Sequence, residues 1–297
     1  MPSGFKKLFV AILIIVALGV GAFTLLGRRE KPPIEIAPDP NPIFKVIGAS
    51  VEGRKIESYT YLPDGGAGGD GSKHLVFVGG IHGGYEWNSV LLAYQFMDYL
   101  DKNPDVIPNN LTVTIIPSAN PDGVFRAVGK EGRFTVADVS KDEKILASGR
   151  FNANEVDLNR NFDCKWQPES TWRSKKVSAG KAPFSEPEAA SIRDFVTANN
   201  PVAVIFWHSQ SNAVYASECE NGILPETLNI MNTYAQATDY PAVKSFDSYA
   251  ITGDAEGWLA SINIPAITVE LKTHDTIEWE RNLLGIKALF EYYRQKN

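Results

Sequence analysis

The chain has 297 residues, 44% of them hydrophobic and 22% charged, proportions that predict a folded protein with a filled core and exclude disorder over most of its length. Without the five basic residues and the one acidic residue of positions 1–31, 24 basic side chains stand against 34 acidic ones, a net charge of −10. Nucleic-acid affinity depends on clustered Lys and Arg, so no nucleic-acid partner is expected.

The first predicted element is an apolar segment near the N-terminus. Residues 8–26 form an uncharged run of 19 that follows Lys6 and Lys7. About 20 apolar residues span a bilayer as a helix, whereas the apolar part of a signal peptide usually has about 7–15. We therefore predict a retained membrane anchor within residues 1–27, with a cleaved signal peptide and a buried core helix as alternatives. The folded part would lie outside the cytoplasm, anchored or secreted, and basic residues on both sides leave the orientation open.

A linker and one folded domain follow this segment. Residues 28–42 are predicted as a linker, because positions 29–42 hold five prolines that exclude a continuing helix. The folded domain is expected over residues 43–297, a length that fits one main domain.

Within the domain, short apolar runs alternate with longer helical patterns. The predicted strands are 75–80, 111–117, 202–207 and 265–271. The predicted helices are 87–100, 186–198, 224–238 and 276–295. This alternation predicts an α/β fold, a mixed and mostly parallel sheet flanked by helices on both faces.

Polar side chains follow the predicted strands where each one ends. They are His82, Asn120, His208 and Glu270. Ligands of open α/β sheets bind at the carboxyl ends of strands, so one site could collect these residues.

Two histidines and a carboxylate, His82, Glu86 and His208, form a candidate metal site. Catalytic zinc commonly has three protein ligands and one open position. The other two histidines, His74 and His274, lie among polar residues. His82 and Glu86 alone would also fit a strand end followed by the first turn of a helix, where acidic residues are common. His208 supplies the third ligand that makes the metal interpretation preferable.

Several ordered motifs resemble one known family. The segment GRFNANEVDLNRNF at 149–162 resembles the zinc metallocarboxypeptidases of the carboxypeptidase A-like superfamily. The other matching segments are GASVEGRKI (48–56), which resembles the opening strand of that domain, NPDG (120–123), PFSEPEA (183–189), WHS (207–209) and AITVEL (266–271). The resemblance spans about residues 43–295 and implies a single carboxypeptidase-like catalytic domain.

The resemblance implies a role for each candidate residue around one Zn²⁺. His82, Glu86 and His208 would be the zinc ligands, and Glu270 the general base and acid that takes a proton from the attacking water. Asp157 would accept a hydrogen bond from the second ring nitrogen of His82.

Five further residues match positions that contact the substrate in the family. Arg150 would stabilise the developing oxyanion, and Asn159 and Arg160 would hold the terminal carboxylate of the substrate. Tyr249 matches the mobile tyrosine that closes over bound substrate. Glu256 matches the specificity position, where an acid would favour Lys, Arg or another amine-bearing side chain.

The main departure from the family lies in the segment HGGYE, residues 82–86. The family usually separates its first histidine and glutamate by two residues, whereas three separate His82 from Glu86. Gly83 and Gly84 can adopt positive φ and absorb the extra residue, so Glu86 is retained as a ligand.

Three functions remain open from the sequence. The first is a zinc carboxypeptidase that hydrolyses the C-terminal bond of peptides, with a preference for a basic terminal residue. The second is an amidase of the same fold that cleaves D-amino-acid or diaminopimelate linkages of cell-wall peptides. The third is a non-catalytic zinc-binding module displayed at the membrane, which would require neither Glu270 nor Arg150. The expected partners are a peptide or cell-wall peptide and, through residues 8–26, a membrane.

The only two cysteines, Cys164 and Cys219, allow one optional disulfide and exclude a cysteine-rich metal site.

Overall fold

A computed structural model describes residues 42–63 and 72–296 of the chain. The strands are β1 Ile43–Ala49, β2 Lys55–Tyr61, β3 Lys73–Val78, β4 Leu111–Ile116, β5 Glu169–Trp172, β6 Lys175–Ser178, β7 Ala203–Ser209, β8 Ala213–Ala216, β9 Glu218–Cys219, β10 Gly222–Ile223, β11 Ala242–Val243 and β12 Ala266–Leu271. The α-helices are α1 Trp87–Lys102, α2 Pro121–Val128, α3 Glu143–Ser148, α4 Pro187–Asn199, α5 Pro225–Thr238, α6 Ala255–Ser261 and α7 Trp279–Gln295.

Eight of these strands form one sheet in the order β1-β2-β4-β3-β7-β12-β8-β11. The central strands β4, β3, β7 and β12 run parallel to their neighbours in this series. β2 pairs with β4, and β8 with β12, in antiparallel fashion. The predicted α/β fold with a mixed, mostly parallel sheet is therefore confirmed.

Alternating strand residues build a hydrophobic core on each face of the sheet. Leu75 and Phe77 of β3 belong to a cluster that includes side chains of α1, α5 and α7. Val76 and Val78 belong to a second cluster, with side chains of α4 and α6. Because both faces of a central parallel strand are covered, each of these strands contains an unbroken apolar run, residues 75–78 in β3 and 203–207 in β7. Helices thus flank the sheet on both faces, as the sequence predicts.

The four strands and four helices predicted within the domain are all present, with ends that shift by up to three residues. The last helix begins at Trp279 rather than at residue 276, because Glu278 adopts a left-handed conformation with φ of 44° and helical geometry starts only after it. The expectation of an opening strand at 48–56 is wrong: most of that segment is the turn between β1 and β2, where Gly53 has a φ of 82°.

The predicted membrane anchor, residues 8–26, lies outside the described residues, and so does nearly all of the predicted linker. Within residues 42–63 and 72–296, no helix combines the length and apolar character needed to cross a bilayer.

Candidate metal centre and active site

The central strands bring the predicted site residues to one edge of the sheet. His208 lies near the end of β7 and is paired in register with Glu270 of β12. His82 follows the end of β3, which is the other neighbour of β7. The carboxyl ends of three adjacent strands thus supply two histidines and a carboxylate to one place.

The segment 82–86 forms a tight turn that directs both His82 and Glu86 into this site. Residues Gly83–Glu86 make a 3-10 turn that continues directly into α1. Gly83 has a φ of 47°, and a Cβ there would lie 2.4 Å from the carbonyl oxygen of Gly149. A Cβ at Gly84 would lie 2.2 Å from the Cβ of Ala127. Because only glycine permits this close approach, the two glycines accommodate the extra residue between the histidine and the glutamate.

His82, Glu86 and His208 form a buried group that could hold one metal ion. One potential ligand atom from each lies within 4.8 Å of the others. Glu86 Oε2 and His208 Nδ1 are 3.0 Å apart, close to the spacing of about 3.3 Å that zinc bonds of about 2 Å give tetrahedral ligands. The donor set of two imidazoles and a carboxylate, together with this spacing, fits Zn²⁺.

Two of the three groups, His82 and Glu86, have the ionisation state that a cation requires, and His208 does not. Burial lowers the pKa of His82 to about 4, and the charge of Arg150 acts in the same direction. Burial would raise the pKa of Glu86, but the two histidines and Arg150 outweigh it and hold the pKa at about 2. Burial also lowers the pKa of His208, yet Glu86 and Glu256 reverse the effect and raise it well above its usual value. A metal must therefore displace one proton, that of His208.

Asp157 connects His82 to Arg150. Its Oδ1 lies 3.4 Å from His82 Nδ1, while its Oδ2 accepts a hydrogen bond from Nε of Arg150 at 2.9 Å and forms an ion pair with Nη2 at 2.8 Å. Burial would raise the pKa of Asp157, but the charges of Arg150 and His82 hold it far below its usual range. At this distance Asp157 Oδ1 and His82 Nδ1 do not form a hydrogen bond, but the ionised carboxylate faces Nδ1, and Nε2 is the ring nitrogen that would remain for a metal.

Arg150 is fixed beside the candidate ligands. Its Nη1 lies 3.7 Å from Glu86 Oε1, and its guanidinium stacks 4.6 Å from the centre of the Trp172 ring. Sequence reasoning missed Trp172, because the β5–β6 hairpin that carries it was not among the predicted strands.

Glu270 lines the same cavity, where the backbone N–H of Ser211 donates a hydrogen bond to its Oε2 at 3.2 Å. Burial and the neighbouring Glu86 raise the pKa of Glu270 to about 7. A carboxyl group with such a pKa exchanges protons readily near neutral pH.

A family model described as zinc carboxypeptidase matches residues 39–279, most of the chain. The chain belongs to the zinc carboxypeptidase family. This family implies one Zn²⁺, and His82, Glu86 and His208 are the described residues that would hold it.

This chain is similar to several curated proteins. It is 27% identical over 227 residues to gamma-D-glutamyl-L-diamino acid endopeptidase 1 of Lysinibacillus sphaericus, covering 68% of this chain and 55% of that protein. It is 30% identical over 131 residues to murein peptide amidase A of Escherichia coli K12, covering 41% of this chain and 50% of that protein. The chain thus spans about half the length of these relatives.

Solved structures share the fold of this zinc carboxypeptidase. The murein-tripeptide amidase of Escherichia coli O157 aligns with a TM-score of 0.61 at 21% identity, over 88% of this chain and 96% of that one. Thrombin activatable fibrinolysis inhibitor aligns with a TM-score of 0.69 at 18% identity, over 86% of this chain and 70% of that one.

The cavity beside the metal centre has a volume of about 640 Å³ and is lined by side chains of both charges. Arg160 is 2% exposed, and its guanidinium donates to the backbone oxygens of Asn159 at 2.6 Å and of Thr171 at 3.1 Å. Among the described residues, no carboxylate forms an ion pair with Arg160 within 4.0 Å. A buried guanidinium without an ion-paired carboxylate can receive a carboxylate from a ligand.

Tyr249 and Glu256 also line the cavity, as does Asp254, which sequence reasoning missed. Tyr249 is partly buried and packs edge-on against Phe246 at 4.8 Å. Asp254 caps α6 by accepting a hydrogen bond from the backbone N–H of Gly257. An Asp directly before a helical pattern is a capping signal that could have located it.

The asparagines of the segment 149–162 have structural partners. Asn152 donates hydrogen bonds to Glu186 and Glu188, and Asn161 donates to the backbone oxygens of residues 179 and 182. Asn120, which sequence reasoning placed in the site, instead caps α2 and donates to the carbonyl oxygen of Arg150. These bonds hold the segment in place beside the cavity.

Cys164 and Cys219 form a disulfide at the edge of the cavity. The sequence left this bond optional, since the distance between the two residues depends on the fold. It ties the segment after Arg160 to the β9–β10 hairpin.

Proposed function

We propose that this zinc peptidase hydrolyses a cell-wall peptide at the amide bond next to a diamino acid that carries a free carboxylate. The observation that carries the proposal is Arg160, a buried cation in the cavity wall without a carboxylate partner among the described residues. Asn159 lies beside it on the same turn. A substrate carboxylate would supply the direct ion-pair partner of Arg160 and fix the position of the scissile bond.

The acids of the cavity support recognition of an amine. Asp254 has no cationic partner within ion-pair distance among the described residues, and burial together with Glu256 raises its pKa to about 6. A substrate ammonium would be attracted to this negative region, whereas an aliphatic side chain would gain nothing from it. A residue with both a carboxylate and an amine satisfies both parts of the cavity.

The residues of the chain would divide the reaction among them. Zinc, when bound, supplies Lewis-acid polarisation of water and of the substrate carbonyl. Glu270 accepts the proton of the attacking water and returns it to the leaving amine, a task that suits a carboxyl group with a pKa near 7. Arg150, fixed by Asp157, offers Nη1 to the oxygen on which negative charge develops. Tyr249, in the cavity wall, would cover the bound terminal residue.

Two relatives support the choice of substrate, since their names specify a gamma-D-glutamyl-L-diamino acid bond and a murein peptide. A conventional carboxypeptidase for peptides with a basic terminal residue is the second candidate, and it is favoured by the same acids, Asp254 and Glu256. The two candidate substrates differ in the residue on the acyl side of the scissile bond, which is γ-D-Glu in the first and an ordinary amino acid in the second.

We also propose that residues 8–26 export the protein and either anchor it or are cleaved, with the catalytic domain outside the cytoplasm. The disulfide between Cys164 and Cys219 supports this location, because such bonds persist in oxidising compartments. Mass spectrometry of the mature N-terminus, combined with protease accessibility in intact cells, tests it. If external protease cleaves the domain only after the cell membrane has been permeabilised, the proposed location outside the cytoplasm is contradicted.

The substrate proposal is tested with four peptides and the zinc-loaded full chain in detergent. The first has a diamino acid joined to γ-D-Glu, the second has its carboxylates amidated, the third has an aliphatic residue instead, and the fourth is an ordinary peptide ending in Lys. We expect the first to be cleaved, and amidation to lower kcat/KM by about 100-fold through loss of the partner of Arg160. Cleavage of the fourth alone would select the carboxypeptidase, and zinc binding without turnover of any peptide would select a non-catalytic module. Glu270→Gln sets the background rate.

A further inference from the structure

Glu256 is a buried carboxylate with three hydrogen-bond partners. It is 4% exposed and lies in the first turn of α6. Its Oε1 is 3.0 Å from Nε2 of His208 and accepts a second hydrogen bond from Oγ1 of Thr268, also at 3.0 Å. Its Oε2 accepts a hydrogen bond from Nδ2 of Asn159 at 3.2 Å. These bonds direct the carboxylate toward the metal centre and away from open solvent.

The orientation of His208 determines what this contact does. Nδ1 of the ring faces Glu86 at 3.0 Å, so it is the nitrogen turned toward the other candidate ligands. Nε2 is the outer nitrogen, and it faces Glu256. A carboxylate that accepts the proton of the outer nitrogen fixes the tautomer, holds the ring plane and makes the inner nitrogen a better ligand.

His82 has a matching arrangement on the other side of the centre. Asp157 lies 3.4 Å from the outer nitrogen of that ring and is itself fixed by Arg150. Each histidine of the candidate zinc site therefore has a buried carboxylate behind it, and each carboxylate is held in turn by a second side chain, Arg150 or Asn159.

We propose that Glu256 is a positioning residue for the zinc ligand His208. Through its second oxygen Glu256 connects His208 to Asn159, the residue that precedes Arg160. The substitution of Glu256 then acts first on the metal and only secondarily on the choice of substrate side chain. Thr268 of β12 donates a hydrogen bond to the same oxygen and so helps to hold the carboxylate in this orientation. The inference depends on the zinc site alone and holds whichever peptide is the substrate.

The test measures the zinc affinity of the full chain in detergent by competition with a chromophoric chelator at pH 7.5. Glu256→Ala removes the acceptor, and Glu256→Gln keeps an acceptor oxygen without the charge. Asp254→Asn is the matched control, because it removes a neighbouring carboxylate of the same cavity that does not contact His208 and preserves an oxygen for capping α6.

We expect Glu256→Ala to lower zinc affinity by about 10–100-fold, Glu256→Gln to lower it less, and Asp254→Asn to change it less than about twofold. The visible spectrum of the Co²⁺-substituted enzyme should shift in Glu256→Ala and remain unchanged in Asp254→Asn. Unfolding temperatures of the metal-free variants show whether each is folded. If Glu256→Ala is not folded, Glu256→Gln replaces it as the test variant.

Two results would overturn the proposal. One is a Glu256→Ala enzyme that binds zinc as tightly as the unmodified chain and changes only its preference for amine-bearing substrates. The other is a loss of zinc affinity in Asp254→Asn as large as that in Glu256→Ala. The effect would then come from the total negative charge of the cavity and not from the contact between Glu256 and His208.

Discussion

The disulfide between Cys164 and Cys219 should contribute strongly to stability. It closes a loop of 55 residues, and its Cα atoms are 6.0 Å apart. The loop-entropy relation gives a stabilisation of about 4 kcal/mol for a loop of this length. Replacing both cysteines with alanine should therefore lower the free energy of unfolding by about that amount. For a domain of this size the unfolding temperature should fall by roughly 8–16 °C.

The assay is thermal and denaturant unfolding of the metal-free chain, with and without a thiol reductant. The unmodified chain should lose stability in the reductant, whereas the double alanine variant should not respond to it. The variant should also show a raised KM, since Cys164 lines the cavity and its carbonyl oxygen accepts a hydrogen bond from Gly253, next to Asp254. A loss below about 1 kcal/mol, or a variant that still responds to the reductant, would refute the assignment of this bond as the main covalent constraint on the cavity wall.

Four further predictions concern the reaction and the metal. Glu270→Gln should lower kcat by about 10²–10⁴-fold while zinc content measured by metal analysis stays the same, and a loss under tenfold would exclude a general-base role. In the unmodified enzyme kcat/KM should rise with pH as Glu270 loses its proton, with a midpoint no higher than about 7, because the zinc cation favours the ionised form. Arg150→Lys should lower kcat by about 10²–10³-fold with a smaller effect on KM. If kcat and KM change by the same factor, for good and poor substrates alike, the result would contradict oxyanion stabilisation by Arg150. Zinc affinity should increase about tenfold per pH unit below the raised pKa of His208, because raising the pH removes the proton that competes with the metal, and a flat profile near neutral pH would contradict a protonated His208.

The sequence predicted the sheet and the placement of its polar residues because both depend on local periodicity. In β12 the apolar residues Ile267, Val269 and Leu271 alternate with Thr268 and Glu270, so the two polar side chains share one face. The same alternation could have identified Thr268 as a member of the site. The pair of ligands in the segment 82–86 was also visible locally, since the turn that joins them is only a few residues long.

Features that depend on long-range contacts were not predictable in the same way. Glu256 and His208 are 48 positions apart, and their hydrogen bond requires α6 to pack beside β7. The β5–β6 hairpin, which supplies the carbonyl oxygen of Thr171 to Arg160, has strands of only four residues each. Such short strands carry too little periodicity to be distinguished from a loop. The resemblance to known enzymes supplied residue roles, but it could not supply these supporting contacts.

The segment between Arg150 and Arg160 contacts both the candidate metal centre and the part of the cavity beside Arg160. Arg150 fixes Asp157, which lies behind His82, while Asn159 contacts Glu256, which lies behind His208. A substitution in this segment can therefore change zinc affinity and substrate affinity at once, and a fall in kcat/KM alone would not distinguish the two. Kinetic constants of such variants must be measured at saturating zinc, with the metal affinity determined separately. A variant of Asn159 that raises KM at saturating zinc and also weakens zinc binding would show that one segment of the chain supports both tasks.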